Sequence, residues 1–458
     1  MKVGRYRYLR SDDVNIEELM EALTIVNPKY RKSLQMGFST RGLEPAMKLY
    51  KLGLTEDSSE SVVIRIPRQF PYSDYLIDSA NSVTVDDDTV LGEDLKYTDS
   101  IVLRDNQFEP VKKFVENENG IVSLPCGAGK TIVGLKALAE IGKPAIVLVH
   151  KTFLLNQWRD RAKEFLNEDI GLVGAGQEDW KGRKIVVGMI QSLNNVDKYP
   201  KEFYEYFGVV ISDEVHRLSA PVWEKVVGQF PARRRWGLTA TPYRTDGLEC
   251  IFKWHIGGML FIENEQPLTP QVVQIRTEAY MSSHKYINMW GNRNLNMGRL
   301  ISNLVKDEDR MYLIIKSLKK VIKSGRKLLV LSDRLNSLDE LKKGLSSTGA
   351  DIKMYVGSTS EEDRYSAEDA DVILATSQMA SEGLDIPDLD TLVLVTPKSS
   401  LPWLKQAVGR ILRDVEGKKK PLIIDYIDLK IPLLRNMAMK RFKYYKTQRF
   451  DVESDIMD

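Results

Sequence analysis

The chain is 458 residues long, 43% hydrophobic and 28% charged, with a formal net charge of +2. That length holds two or three ordinary domains, and the composition excludes a wholly disordered or fibrous protein. No apolar run approaches the ~18 residues of a membrane helix, and near-neutrality leaves any polyanion partner to local patches, not to the field of the whole molecule.

The N-terminal stretch MKVGRYRYLRSDD lacks the apolar segment of a secretory signal, so a cytoplasmic location is expected. With only Cys126 and Cys250 there is no disulfide framework, and His150, His216, His255 and His284 lack paired metal-ligand spacing, so no zinc site is expected. Residues 1–51 carry ten Lys/Arg against six Asp/Glu, whereas 56–99 carry three against eleven, including Asp86, Asp87 and Asp88. The reversal predicts a small α+β N-terminal domain over 1–97 with an acidic exit. Beyond it, AIVLV (145–149), KIVVGMI (184–190) and GVVIS (208–212) alternate with helical patterns. The alternation predicts a buried parallel sheet with crossover helices over 98–265. KLLVLS (327–332), DIKMYV (351–356), DVILATS (371–377), TLVLVT (391–396) and PLIIDYID (421–428) predict a second α/β domain over 266–450. Between the two series, 276–310 is rich in Asn and Met around Trp290 and has no strand period, as in an inserted helical element or a linker.

LPCGAGKT (124–131) follows a short apolar run and opens the helical pattern TIVGLKALAEI, the context of a phosphate-binding loop. Leucine stands where the pattern G-x-x-x-x-G-K-[ST] has its first glycine. Gly127 and Gly129 let backbone N–H groups face phosphate oxygens, Lys130 brings positive charge to the β and γ phosphates, and Thr131 can place its hydroxyl on Mg²⁺. Pro125, Cys126 and Ala128 complete the expected ATP-binding loop; the alternative is a chance turn. Ser212-Asp213-Glu214-Val215-His216 follows an apolar strand, placing two carboxylates at its carboxyl end, where open α/β sheets bind ligands. Asp213 is expected to hold Mg²⁺, and Glu214 to orient and deprotonate the attacking water, because phosphoryl transfer needs little beyond positioning and charge stabilisation. The alternative is a solvated loop, a reading weakened by the Lys-Thr loop upstream.

LPCGAGKT, SDEVH, GLTATP (237–242) and QAVGRILR (406–413) stand in the order of the superfamily 2 helicases, and the chain resembles that superfamily over roughly 98–430. The loop without its first glycine is similar to the superfamily's own variant. LRDNQFEPV (103–111), AIVLVHKTFLLNQW, TPYRTDGLE, GSTSEEDR and ATSQMASEGLDIPDLDTLVL resemble the XPB/UvsW branch, especially phage UvsW-type branch-migration helicases. NPKYRKSLQMGFSTRG and IRIPRQF (64–70) are more weakly similar to phage and mobile-element relatives. The resemblance implies two RecA-like parallel-sheet motor domains in tandem, preceded by the N-terminal domain, here DNA-binding. It implies that Gln107 reads the adenine edge and that Gly383 and Asp385 link nucleotide state to the strand track. It likewise implies that Thr239, Thr241, His216 and Gln406 couple the ATP site to DNA, and that Arg410 and Arg413 reach the phosphates as arginine fingers, worth roughly 10³ to 10⁵ in rate, with closure on ATP and opening after hydrolysis as the stroke. Lys151, Gln191 and Arg244 are expected strand contacts, although His150-Lys151 departs from the family's proline-threonine pair. Gln406, Arg410 and Arg413 also fit one solvated helix face at i, i+4 and i+7. His216 is expected to bridge to Thr239 or the second domain without carrying protons, and Trp158 and Trp290 to serve packing.

A translocase grips backbone electrostatically. The segment 435–449 has six Lys/Arg and no acid, with Phe442, Tyr444 and Tyr445 interleaved. Lys440, Arg441 and Lys443 are expected DNA contacts there, with docking onto the second domain as the equal alternative. The basic N-terminal half-domain (Arg5, Arg7, Arg10, Lys29, Arg31, Lys32, Arg41) is the other candidate grip, as the resemblance implies. Plain unwinding costs a mean of about 1.4 kcal/mol per base-pair step, while branch migration forms one pair as it breaks another. A compact motor using ATP and Mg²⁺, with no obligate protein partner, is thus expected to perform fork regression, branch migration and limited unwinding in replication, recombination or repair, in the host cytoplasm if phage-encoded. The rivals are a DEAH/DEAD RNA helicase, the motor of a restriction or nuclease complex, and a DNA-binding module with a relic ATP site.

Overall fold

The computed structural model describes residues 1–54, 62–77, 85–125, 127–174, 176–217, 225–240, 247–263, 268–282, 296–359, 363, 366–367, 369–381, 386–413 and 417–454. Cys126, Thr241, Arg244, Trp290, Gly383 and Asp385 lie outside them. The chain divides into two units, Met1–Leu124 with Ala128–Asn264, and Pro125–Gly127 with Glu265–Asp458.

Continuous Val/Ile/Leu runs make strands covered on both faces, the condition of a parallel sheet between helices. In the first unit Ala145–Val149 and Val209–Asp213 are buried at every position. They lie at the centre of an eight-stranded sheet ordered Gln177–Glu178, Gly171–Gly174, Ile185–Met189, Ala145–Val149, Val209–Asp213, Arg234–Thr239, Asn119–Ser123, Met259–Ile262. Only the edge pairing of Gln177–Glu178 with Gly171–Gly174 is antiparallel. The carboxyl ends of seven strands therefore share one edge, where the loops that follow them converge.

The N-terminal residues form a five-stranded sheet ordered Lys51–Leu54, Val62–Ile66, Arg7–Arg10, Lys2–Val3, Asp86–Asp87. Its core is continuous with one face of the larger sheet, since Leu9, Leu19, Ile64, Ile66 and Phe70 cluster with Ile121, Ile146, Leu148, Val186 and Val210. Arg68, 2% exposed, locks the joint by donating to Ala232 O at 2.7 Å, Asn119 Oδ1 at 2.6 Å and Arg233 O at 3.0 Å. Buried Arg235 answers from the other side, donating to Arg5 O at 2.6 Å. A separate two-stranded ribbon pairs Thr24–Val26 with Ala46–Lys48.

The second unit holds a seven-stranded sheet ordered Ile352–Tyr355, Val372–Ala375, Leu328–Leu331, Thr391–Leu394, Leu422–Ile427, Gln271–Arg276, Asp451–Ser454. Every pairing in it is parallel. Two α/β units with parallel sheets are thus present, as the apolar runs predict. Of the stretch 276–310, Met297–Leu304 forms a helix that buries Leu300, Ile301 and Leu304.

The basic C-terminal segment corrects one expectation. Pro432–Thr447 is a helix, but Arg441 is only 1% exposed. Its guanidinium donates to both oxygens of Asp425 at 2.8 to 3.1 Å, and the Tyr445 hydroxyl donates to Asp425 at 3.2 Å. Tyr444 and Tyr445 lie in the core. Arg441 is therefore a structural counter-ion and not a DNA contact, while Lys440 and Lys443 on the other side of the helix are exposed. Removing one member of a buried pair strands the other charge, so Arg441→Ala is expected to destabilise the second unit by roughly 3–5 kcal/mol in urea unfolding, whereas Lys440→Ala leaves the transition within about 0.5 kcal/mol.

Candidate active site

Strand Asn119–Ser123 enters the loop 124–129, and helix Lys130–Ile141 leaves it with Gly129 as its N-cap. Gly127 and Gly129 have φ of +86° and +84°, the left-handed region that a side chain resists. At Gly129 a Cβ would lie 2.3 Å from Gln107 Nε2, the movable end of a side chain, so the left-handed backbone is the firmer reason for glycine here. Gln107, 3% exposed, donates to Ala128 O at 2.9 Å and accepts from the Arg104 N–H at 3.0 Å. These two bonds use one N–H and one carbonyl lone pair of its amide. The phosphate loop is thus braced from below by the helix Asp105–Glu116 that carries Gln107.

The neighbouring strand ends bring the second motif alongside. Leu124 N–H donates to Thr239 O at 3.0 Å, and Arg234–Thr239 pairs in turn with Val209–Asp213. Asp213 is 4% exposed. Burial, and next the Glu214 carboxylate, push its carboxyl up to about 6, against a smaller lowering by the Trp158 hydrogen bond. Glu214 has φ of +54°, a backbone conformation that costs on the order of 1–3 kcal/mol outside glycine. In this geometry its carboxylate lies 3.7 Å from Lys130 Nζ and 3.3 Å from His216 Nδ1. His216 Nδ1 also lies 2.8 Å from Thr239 Oγ1, the bridge anticipated from sequence. Lys130, Glu214, His216 and Thr239 thus form one continuous polar chain across three adjacent strand ends.

Trp158 contributes more than packing. It is fully buried, its ring fills the space where a Cβ on Gly134 would stand at 2.7 Å, and its indole N–H donates to Asp213 Oδ2 at 3.0 Å. One side chain thereby touches both the helix after the phosphate loop and the buried carboxylate. The sequence signal for it is that a buried indole N–H requires an acceptor.

Lys151 occupies the N-cap position of the helix Thr152–Leu166 without a side-chain cap, and Gln191, exposed, donates to His150 O at 2.7 Å. These two expected strand contacts therefore adjoin at the ends of Ala145–Val149 and Ile185–Met189. In the second unit, Leu401–Gly409 is helical with Arg410 as its C-cap. Gln406 is 6% exposed and Arg413 lies beyond the helix end, so the three side chains do not form the solvated helix face that their spacing allows. Arg410 and Arg413 are half-buried.

No helix among the described residues is long and apolar enough to cross a membrane. Residues 100–244 match the family described as type III restriction enzyme, res subunit, and 313–415 the helicase conserved C-terminal domain, together more than half of the chain. The chain is 31% identical over 353 residues to "Putative ATP-dependent RNA helicase L396" of Acanthamoeba polyphaga mimivirus, covering 75% of this chain and 66% of that one. It is 24% identical over 368 residues to "DNA 3'-5' translocase XPB2" of Sulfurisphaera tokodaii, covering 72% and 82%. The fragment structure of a putative HsdR subunit of a type I restriction enzyme from Vibrio vulnificus has the same fold over 78% of this chain and 68% of that one, at 20% identity and a TM-score of 0.54. With two parallel-sheet α/β units and both helicase domains present, the chain belongs to the superfamily 2 helicases.

Proposed function

We propose that this helicase is an ATP-driven motor that remodels branched DNA, regressing forks and migrating junctions, with residues 1–97 as a DNA-binding domain beside the motor domains 98–265 and 266–450. The observation that carries the ATP chemistry is the convergence of a glycine-bent phosphate loop, the Asp213–Glu214 pair and the His216–Thr239 bridge at neighbouring strand ends. Lys130 and the backbone N–H groups at the start of helix Lys130–Ile141 hold the phosphates. Glu214 orients a water for attack on the γ-phosphorus and takes its proton as the bond to the β-phosphate oxygen breaks, leaving ADP and phosphate. Thr131, a buried hydroxyl, and Asp213, a buried carboxylate short of solvation, are the hard oxygen donors that suit Mg²⁺. When bound, the ion neutralises phosphate charge. Loss of the γ-phosphate changes what Glu214 faces, and the Glu214–His216–Thr239 chain passes that change towards the segment after Thr239, where Thr241 and Arg244 stand. Arg410, Arg413 and Gln406 retain their proposed roles on the motif QAVGRILR, as do Gly383 and Asp385 on theirs.

The DNA reading is supported by the XPB-named relative, and the nearly neutral energetics of branch migration favour a branched substrate. One observation favours RNA instead, the name of the mimiviral relative. Steady-state ATP hydrolysis with single strand, blunt duplex, fork, four-way junction and RNA separates the two. Stimulation by fork or junction that vanishes in Lys130→Ala is expected; preferential stimulation by RNA would overturn the DNA assignment. Glu214→Gln is expected to lower turnover by about 10² to 10⁴ while ATP still binds. Gly129→Ala, strained in backbone and clashing with Gln107, is expected to weaken ATP binding by roughly tenfold or more in calorimetry. Protonation of Asp213, near pH 6, competes with the cation, so the Mg²⁺ concentration for half-maximal activity is expected to be flat at higher pH and to rise as pH falls through about 6.

A further inference from the structure

Residues 24–48 stand apart from the rest of the N-terminal domain. Not one of these 25 consecutive residues is buried. The ribbon Thr24–Val26 with Ala46–Lys48 forms a base, tied to the domain by Leu49 N–H donating to Leu23 O at 3.0 Å and by Ile25 and Met47 against the core. Above it, helix Pro28–Gln35 is capped by the Asn27 side chain and buries no residue. The helix ends in a built C-cap, with Gly37 at φ +67° and N–H groups of Gly37 and Phe38 donating to Leu34 O and Ser33 O at 3.2 and 2.9 Å. A turn closed by Leu43 N–H to Thr40 O at 3.0 Å leads back to the ribbon. The segment is thus an ordered thumb, anchored on the domain core only at the ribbon through Ile25 and Met47 and held beyond it by backbone hydrogen bonds.

Its tip carries two kinds of side chain. Leu34, Met36 and Phe38 are 63%, 58% and 58% exposed, three large apolar groups within five residues left open to solvent. Around them stand Lys29, Arg31, Lys32 and Arg41, all exposed, with no acid anywhere in 28–43. The other cations of the basic half-domain are divided differently. Arg7 donates to Arg68 O at 3.1 Å and stacks on Tyr72, and Arg5 stacks on Tyr204, so those two serve the docking of the sheets.

A partner for the tip must be anionic along its length and offer flat apolar surface at one point. Duplex DNA hides its base faces except where the stack ends, as at a fork or junction. We propose that the thumb is a branch-point wedge, in which Lys29, Arg31, Lys32 and Arg41 seat on the phosphates of a duplex arm while Leu34, Met36 and Phe38 pack on the terminal base pair at the branch. The proposal rests on the branched-DNA reading above and gives that reading its recognition element.

The test uses the full chain with a fork carrying 2-aminopurine at its first paired step, with a duplex closed by a hairpin loop at each end, which exposes no terminal base pair, and single strand as references. A triple variant, Leu34→Ser with Met36→Ser and Phe38→Ser, changes only exposed side chains. It is expected to lose the fluorescence rise at the branch and to lower the fork-over-duplex preference roughly tenfold, about the worth of one base-stacking contact, while single-strand-stimulated ATP hydrolysis persists. Lys29→Gln with Arg31→Gln and Lys32→Gln is expected to flatten the salt dependence of fork binding by about 0.9 in log–log slope for each phosphate no longer neutralised. An unchanged fork-over-duplex ratio in the apolar variant would overturn the wedge. So would its loss of self-association in sedimentation, or of binding to anionic phosphatidylserine vesicles, with fork preference intact. If no DNA stimulates the unmodified chain, the motor reading fails instead, and the two failures are told apart by that control.

Discussion

The first unit turns on one desolvated carboxylate. Asp213 lies at the carboxyl end of a strand buried at every position, and it is there because a parallel sheet delivers all such ends to one edge. Burial raises the free energy of its charged form, so the group is poised to gain when a cation arrives. Trp158 keeps the carboxylate aimed by donating from the indole, and Gly134 exists as glycine to admit that ring. Packing of the helix after the phosphate loop and orientation of the carboxylate are therefore one constraint, met by one side chain.

The polar chain from Lys130 to Thr239 extends the same constraint. Its members come from the loop after Asn119–Ser123, the turn after Val209–Asp213 and the end of Arg234–Thr239, three strands adjacent in the sheet and distant in sequence. No one motif contains the geometry. The left-handed backbone at Glu214 lets consecutive carboxylates diverge, Asp213 towards the indole and Glu214 towards Lys130 and His216.

Much of the arrangement is legible in the residues alone. Apolar runs such as AIVLV and TLVLVT become buried strands because a parallel strand covered on both faces leaves no alternation to misread. The phosphate loop and the Asp-Glu pair are legible because their chemistry tolerates few residue types. Arg441 is not, because a run of cations reads alike whether it faces solvent or a buried Asp425 sixteen residues away. Trp158 reads as packing alone for a related reason: sequence shows the ring but not the acceptor of its N–H. The alternative of a solvated helix face for Gln406, Arg410 and Arg413 fails because the helix stops at Gly409, a boundary that the spacing does not reveal. The thumb is visible as a basic stretch, but its lack of any buried residue is a property of three dimensions.

The guanidinium of Arg68 has a bearing on how this chain can be cut. Its acceptors, the carbonyls of Ala232 and Arg233 and the side chain of Asn119, belong to strands or strand approaches of the motor sheet, and the apolar face around them is shared with the N-terminal core. A truncation that removed the first hundred residues would leave carbonyls without donors and a bare hydrophobic face on the motor. The N-terminal portion is accordingly not a segment that can be cut away while the motor surface beneath it stays as it is.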